Sequence, residues 1–106
     1  SVKKATILGT RYRIAFSPLF GYPSEAAARM RKELSTDIEV LVSRDGRFSL
    51  RSVPPISHLI AREYGGGGHP NAAGGTFDFT LWQRIRFRLF GAIPEFSRFV
   101  EIAESI

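Results

Sequence analysis

Apolar and polar positions change period several times along the chain, and each change marks an element. Residues 11–16, Arg-Tyr-Arg-Ile-Ala-Phe, alternate as a half-buried strand does, and a shorter strand is expected at 5–8. Turn residues fill Ser17 to Pro23. Ser24 then stands where a helix cap would, ahead of a run to Leu34 in which Ala27, Met30 and Leu34 recur at helical spacing. Met30 thereby reads as core. Residues 38–43 are rich in β-branched side chains, Asp45-Gly46 carries turn chemistry, and 47–52 alternates again, which predicts a hairpin. Its second strand puts Phe48 and Leu50 on one face and Arg47, Ser49 and Arg51 on the other.

Pro54-Pro55 ends that strand, and Ser57 is expected to cap a helix over 58–64 that the first glycines terminate. Pro70 with Asn71-Ala72-Ala73 is expected to open a short helix, closed by Gly74 and Gly75, before a last strand at 76–79. Thr80 and Gln83 have capping-box spacing, with Leu81, Ile85 and Leu89 repeating behind them. Arg84, Arg86 and Arg88 also alternate with Ile85, Phe87 and Leu89 as a strand would, but the cap and Trp82 favour a helix. Pro94 opens a final helix with Phe96, Phe99, Val100 and Ala103 inward and Glu101 and Glu104 outward. The sum is an α/β fold with a mixed central β-sheet flanked by helices, one domain over 1–106, in which 80–106 forms an extension of two helices.

Composition narrows the class. A chain of 106 residues with 43% hydrophobic content and nine phenylalanines has the material for one ordered core. No apolar run is long enough to span a bilayer and Ser1-Val2-Lys3-Lys4 does not begin a secretory signal, so a soluble protein without a membrane partner is expected. With no cysteine there is no disulfide or thiolate metal site, which fits a cytoplasmic setting. The ten carboxylates are scattered, without the Asp-x-Asp or Asp-His pairings of metal-dependent phosphodiester cleavage, and only His58 and His69 could add imidazoles. Twelve of the fifteen basic residues are arginine in a chain of net charge +5. Arginine's planar fork matches phosphate, although coding bias explains the same excess.

The run Gly65-Gly66-Gly67-Gly68-His69-Pro70-Asn71-Ala72-Ala73-Gly74-Gly75 concentrates bare backbone beside one imidazole. Successive glycine amides can converge on one anion, and the N–H groups of a helix start would add to them. The bland alternative is a flexible surface loop. The triphosphate-loop lysine and the dinucleotide glycine spacing are both absent. His69 could donate to a phosphate oxygen or act as an acid toward a leaving oxygen, or be a packed histidine with no such duty. Arg51, at a strand end, could reach the same anion. Asn71 could read a sugar or base edge, or bond its own turn. Ser49 and Ser52 are weaker candidates, and His58 is expected to face solvent.

Phe48-Ser49-Leu50-Arg51-Ser52, a short helix, and then Gly65 to Gly74 resemble the DHH-associated C-terminal domain of the DHH phosphoesterase superfamily, across residues 11 to about 79. That superfamily includes RecJ-type exonucleases, short-RNA and phosphoadenosine-phosphate phosphatases, and cyclic dinucleotide phosphodiesterases. The resemblance implies that His69 and the amides of Gly66, Gly67 and Gly68 cradle a substrate phosphate and that Arg51 clamps it. It also implies an N-terminal DHH domain of the same chain that holds manganese or magnesium and activates water. The stretch 1–106 lacks such a domain, so it is either an excised part of a larger hydrolase, inactive alone and carrying no cofactor, or a free-standing relic that binds without hydrolysing, and the excised domain is the reading expected. The partner implied is a nucleotide or a short single-stranded nucleic acid. Two rival readings are a non-catalytic single-strand-binding module, from Arg84, Arg86 and Arg88 beside Trp82, Phe87 and Phe90, and a structural homodimerisation domain, from the phenylalanine-rich end.

Overall fold

The computed structural model describes residues 2–19, 21–78 and 96–106, together with Gln83, Ile85, Arg86 and Leu89. Strands β1 (Val2–Ile7), β2 (Thr10–Pro18), β3 (Ile38–Val42), β4 (Arg47–Ser52), β5 (Gly67–His69) and β6 (Ala72–Thr76) form one six-stranded sheet in the order β1-β2-β3-β4-β6-β5. Only β2 and β3 run parallel, joined through helix α1 (Pro23–Leu34); every other neighbour is antiparallel. Helix α2 (Ser57–Arg62) links β4 to β5, and α3 (Phe96–Glu104) closes the described chain. The mixed sheet flanked by helices is the expected fold class.

Strand alternation divides the sheet into two unlike faces. Ile14, Phe16, Ile38, Val40, Val42, Phe48 and Leu50 face α2 and α3 in the hydrophobic core. Aromatic rings fill its centre: Phe16 stacks on Phe96 at 4.5 Å between centroids and Phe48 on Phe77 at 4.6 Å, with Phe99 wholly buried beside them. Phe96 and Phe99 of the phenylalanine-rich end therefore point into the core. The opposite face is covered by α1 over β3, through buried Ala27, Leu41 and Glu39.

Local departures from the expectations have identifiable causes. α1 starts one residue before Ser24, with Pro23 in its first turn and Tyr22 as its uncapped flank, so the fixed proline φ opens the helix and the Ser24 hydroxyl does not. Its apolar stripe is narrow: Ala27 is buried, Met30 only partly, and Leu34 is exposed. Ser57 likewise does not cap α2 but lies within it, fully buried, its hydroxyl paired with that of Ser52. β1 is longer than expected because Leu8 and Gly9, both at positive φ, make a two-residue hairpin into β2. After Thr80, the described residues Gln83, Ile85, Arg86 and Leu89 are helical. Thr80, Leu81, Trp82, Arg84, Phe87, Arg88, Phe90 and Pro94, on which the cap and the arginine–aromatic grouping were argued, lie outside the described residues, as does Phe79. Among the described residues no helix is long and apolar enough to cross a membrane.

Candidate functional site

The largest correction falls on the glycine-rich segment. Asn71-Ala72-Ala73 is no helix start: Pro70 and Asn71 form the turn of a β-hairpin whose strands are β5 and β6. Most of the glycines follow from the close backbone contacts this requires. Gly65 sits at φ +72 after α2, where its N–H bonds the Arg62 carbonyl at 3.1 Å and that of Gly66 bonds Ala61 at 2.9 Å, a Schellman ending. A Cβ on Gly66 would collide with the Gly74 carbonyl oxygen, one on Gly68 would lie 2.7 Å from the Ala73 Cα, and one on Gly75 would lie 2.8 Å from the Phe48 ring. Gly67 alone in the run has neither a positive φ nor any atom within 4 Å of an added Cβ.

Those bonds also decide which amides are open. The Ser52 N–H bonds the Asn71 carbonyl and the Phe77 N–H bonds that of Gly46, so odd-numbered residues of β6 face β4 and even-numbered ones face β5. Gly67 and His69 pair with Gly74 and Ala72 and direct their amides inward; Gly68, between them on the sheet edge, turns its N–H outward. Of the three amides expected in a cradle, Gly66 is committed to the helix end and Gly67 to the sheet. Gly68 keeps an available donor.

The register places two expected residues in one line. Arg51 lies opposite Ala72, and Ala72 opposite His69, all on the face away from the core. Two strand spacings put their backbones about 10 Å apart. The next row on that face is Ser49, Gly74 and Gly67. His69 is exposed and Arg51 half-buried; an Arg51 Nη1–Leu50 carbonyl bond of 3.3 Å is its hydrogen bond within the described chain, and no carboxylate there ion-pairs with it.

Other expected residues prove structural. Asn71 donates both amide hydrogens across the hairpin to the Ser52 and Val53 carbonyls at 3.1 Å, which ties the turn to the end of β4. Ser52 is buried on the core side, donating to the Pro54 carbonyl at 2.6 Å. His58, expected in solvent, is half-buried with Nδ1 enclosed and unpaired among the described residues. Sequence reasoning missed Arg31. It lines a pocket of about 190 Å³ between α1 and β4 together with Ser24, Ala28, Arg51 and Asn71. Its sequence signal was weak, one basic residue in a charged helix. Among the described residues there is no group of three or more His, Cys, Asp or Glu side chains that could hold a metal ion.

No family model and no curated protein matches the sequence. Solved structures do share the fold. An uncharacterized protein from Helicobacter pylori G27 superimposes with a TM-score of 0.60 at 20% identity, over 97% of this chain and 28% of that one. An exopolyphosphatase-related protein from Bacteroides fragilis gives 0.53 at 20%, over 88% of this chain and 29% of that one. The C-Ala domain of Aquifex aeolicus alanyl-tRNA synthetase gives 0.51 at 17%, over 96% and 98%. The chain thus spans less than a third of the first two proteins and nearly all of the third. The class defined is a mixed α/β sheet domain.

Proposed function

We propose that this chain is the substrate-holding domain of a DHH-type phosphoesterase acting on nucleotides or short single-stranded nucleic acid. The observation that carries the reading is the row Arg51–Ala72–His69 on an open sheet face, beside the outward amide of Gly68. Two donor side chains lie along this row, beside a floor of Ala72, Gly74 and Gly67 that has no bulky side chain, and the Gly68 amide stands at the adjoining sheet edge. The glycine–histidine signature adds weight, and so does a fold shared with an exopolyphosphatase-related protein.

In this reading Arg51 and the Gly68 N–H bind non-bridging phosphate oxygens, and the His69 ring donates to the same group or to the leaving oxygen. Fixed donors of this kind act most strongly where water is excluded, so an N-terminal DHH domain closing over the face would raise rate as well as affinity. The metal, manganese or magnesium, and the activation of water belong to residues of that domain.

Titration of this chain with inorganic phosphate and with a nucleoside 5′-monophosphate, followed by amide and imidazole NMR signals, tests the reading. Gly68 and His69 signals should move first. His69→Ala and Arg51→Ala should each weaken binding about tenfold, or about 1.4 kcal/mol. In the complete enzyme His69→Ala should lower phosphodiester turnover with metal binding intact. Unaltered affinity in both variants would refute the assignment.

A further inference from the structure

Among the described residues the sheet ends in two open edges, and the site described so far uses the one at β5. β1 forms the other, five strand spacings or about 24 Å away. Two observations fix which of its groups point outward. Ile7 and Thr10 close the two-residue turn, and the Thr6 N–H bonds Glu104 Oε2 of α3 at 3.0 Å instead of β2. Lys3, Ala5 and Ile7 therefore bond β2, while Val2, Lys4 and Thr6 turn their N–H and C=O groups away from it. At Lys4 neither group meets a partner among the described residues.

The charges on this edge divide into engaged and open ones. Lys3 Nζ donates to Ser97 Oγ at 2.6 Å and lies 5.2 Å from the centre of the Phe96 ring, which ties it to α3. Arg13 donates to the Leu34 and Ser35 carbonyls at 3.0 and 3.2 Å, at the end of α1. Lys4, directly opposite Arg13, and Arg11, directly opposite Thr6, are exposed and without an ion pair among the described residues. All three of these cations share the face of β1 and β2 opposite to Ala5, Ile7 and Ile14, which lie in the core. Like charges on adjoining strands repel. A second copy paired on this edge about a two-fold axis would set both Lys4 side chains on one face, so the edge is guarded against its own kind. It suits a strand of opposite charge. The Glu104 carboxylate, seated on the Thr6 amide, already holds the place that the carbonyl of such a strand would take.

We infer that β1 is a docking edge for an extended acidic segment of a partner protein, which pairs with it as an added strand. A guest carbonyl replaces Glu104 at the Thr6 N–H, and the Lys4 N–H and C=O pair with the guest backbone. Guest carboxylates beside Lys4 and Thr6 lie on the face that carries Lys4 and Arg11. None of this depends on phosphate binding at the far edge.

The probes are an acetylated, amidated hexapeptide of alternating glutamate and valine and its counterpart with lysine for glutamate, titrated into the chain and followed by amide NMR and calorimetry. The acidic peptide should bind, moving the Lys4 and Thr6 amide signals and slowing hydrogen exchange at Lys4, and the basic one should not. Lys4→Glu should weaken binding of the acidic peptide about tenfold, and Glu104→Ala, which removes the competing acceptor, should strengthen it about threefold. A strap that served folding alone would give no such gain. Equal binding of the two peptides, no binding of the acidic one at millimolar concentration, or shifts confined to Arg51, Gly68 and His69 would overturn the proposal. So would self-association of the chain that moves the Lys4 and Thr6 signals, because it would assign the edge to a second copy.

Discussion

Gly67 separates folding from binding more cleanly than any other position. It has ordinary backbone geometry, and an added Cβ meets nothing within 4 Å, so the protein's own packing gives no reason for a glycine there. Gly67→Ala should therefore stabilise the fold by about 0.4–1 kcal/mol by restricting the unfolded chain. For a domain of this size that raises Tm by about 2–5 °C. Strand alternation directs the new methyl onto the face shared with Arg51, Ser49 and His69, where a phosphate is proposed to rest. Displacing the anion from its donors should weaken phosphate binding tenfold or more, about 1.4 kcal/mol. The control is one residue away. Gly66→Ala drives a Cβ into the Gly74 carbonyl and should cost about 2–3 kcal/mol of stability. Thermal denaturation and calorimetric phosphate titration read both quantities. If Gly67→Ala binds phosphate as tightly as the parent, the bare floor is not the binding surface and the argument fails.

Three further outcomes follow from the packing. Phe99→Ala should cost about 3–5 kcal/mol in urea denaturation, since its ring is fully buried against Phe16 and Tyr64. Leu8→Asn should gain about 1 kcal/mol, because Leu8 holds φ 49 in a two-residue turn where Asn-Gly is favoured and its side chain is 62% exposed. Asn71→Ala should cost about 1–2 kcal/mol and loosen the β5–β6 turn, detected as faster amide exchange at Gly68 and His69, because two backbone carbonyls lose their donors.

Where local period and packing agree, the chain was readable. β4 at 47–52 and its two faces follow from alternation alone, and the inward residues of α3 follow from helical spacing. The glycine-rich segment was misread for a physical reason. A strand is recognised by its side chains, and 65–75 has almost none, so Pro70 before Asn-Ala-Ala looked like a helix start. The preference that decided the structure is tertiary: Gly66, Gly68 and Gly75 allow backbones and the Phe48 ring to approach more closely than any side chain permits. Arg51 and His69 could be named from sequence but not aligned, since their alignment is a property of the register with β6. Arg31 was invisible because its partner Glu39 lies eight residues on, across a helix-to-strand connection.

The exposed face of β4, β6 and β5 also bears on what kind of partner it takes. A sheet face awaiting a helix or a second copy of the chain would carry large apolar side chains, as the opposite face does with Phe48 and Leu50. By register this face presents Arg47, Ser49 and Arg51 from β4, Ala72, Gly74 and Thr76 from β6, and Gly67 and His69 from β5. None of these is a large apolar residue and none is a carboxylate. The nearest acid on the neighbouring strand, Glu39, is buried and paired with Arg31. Such a surface stays stable in water when empty and gains little from a dry protein contact, but it offers donors and positive charge to an anion. A domain closing over it would make a polar, reversible contact, the kind expected of a cleft that must open to exchange its ligand.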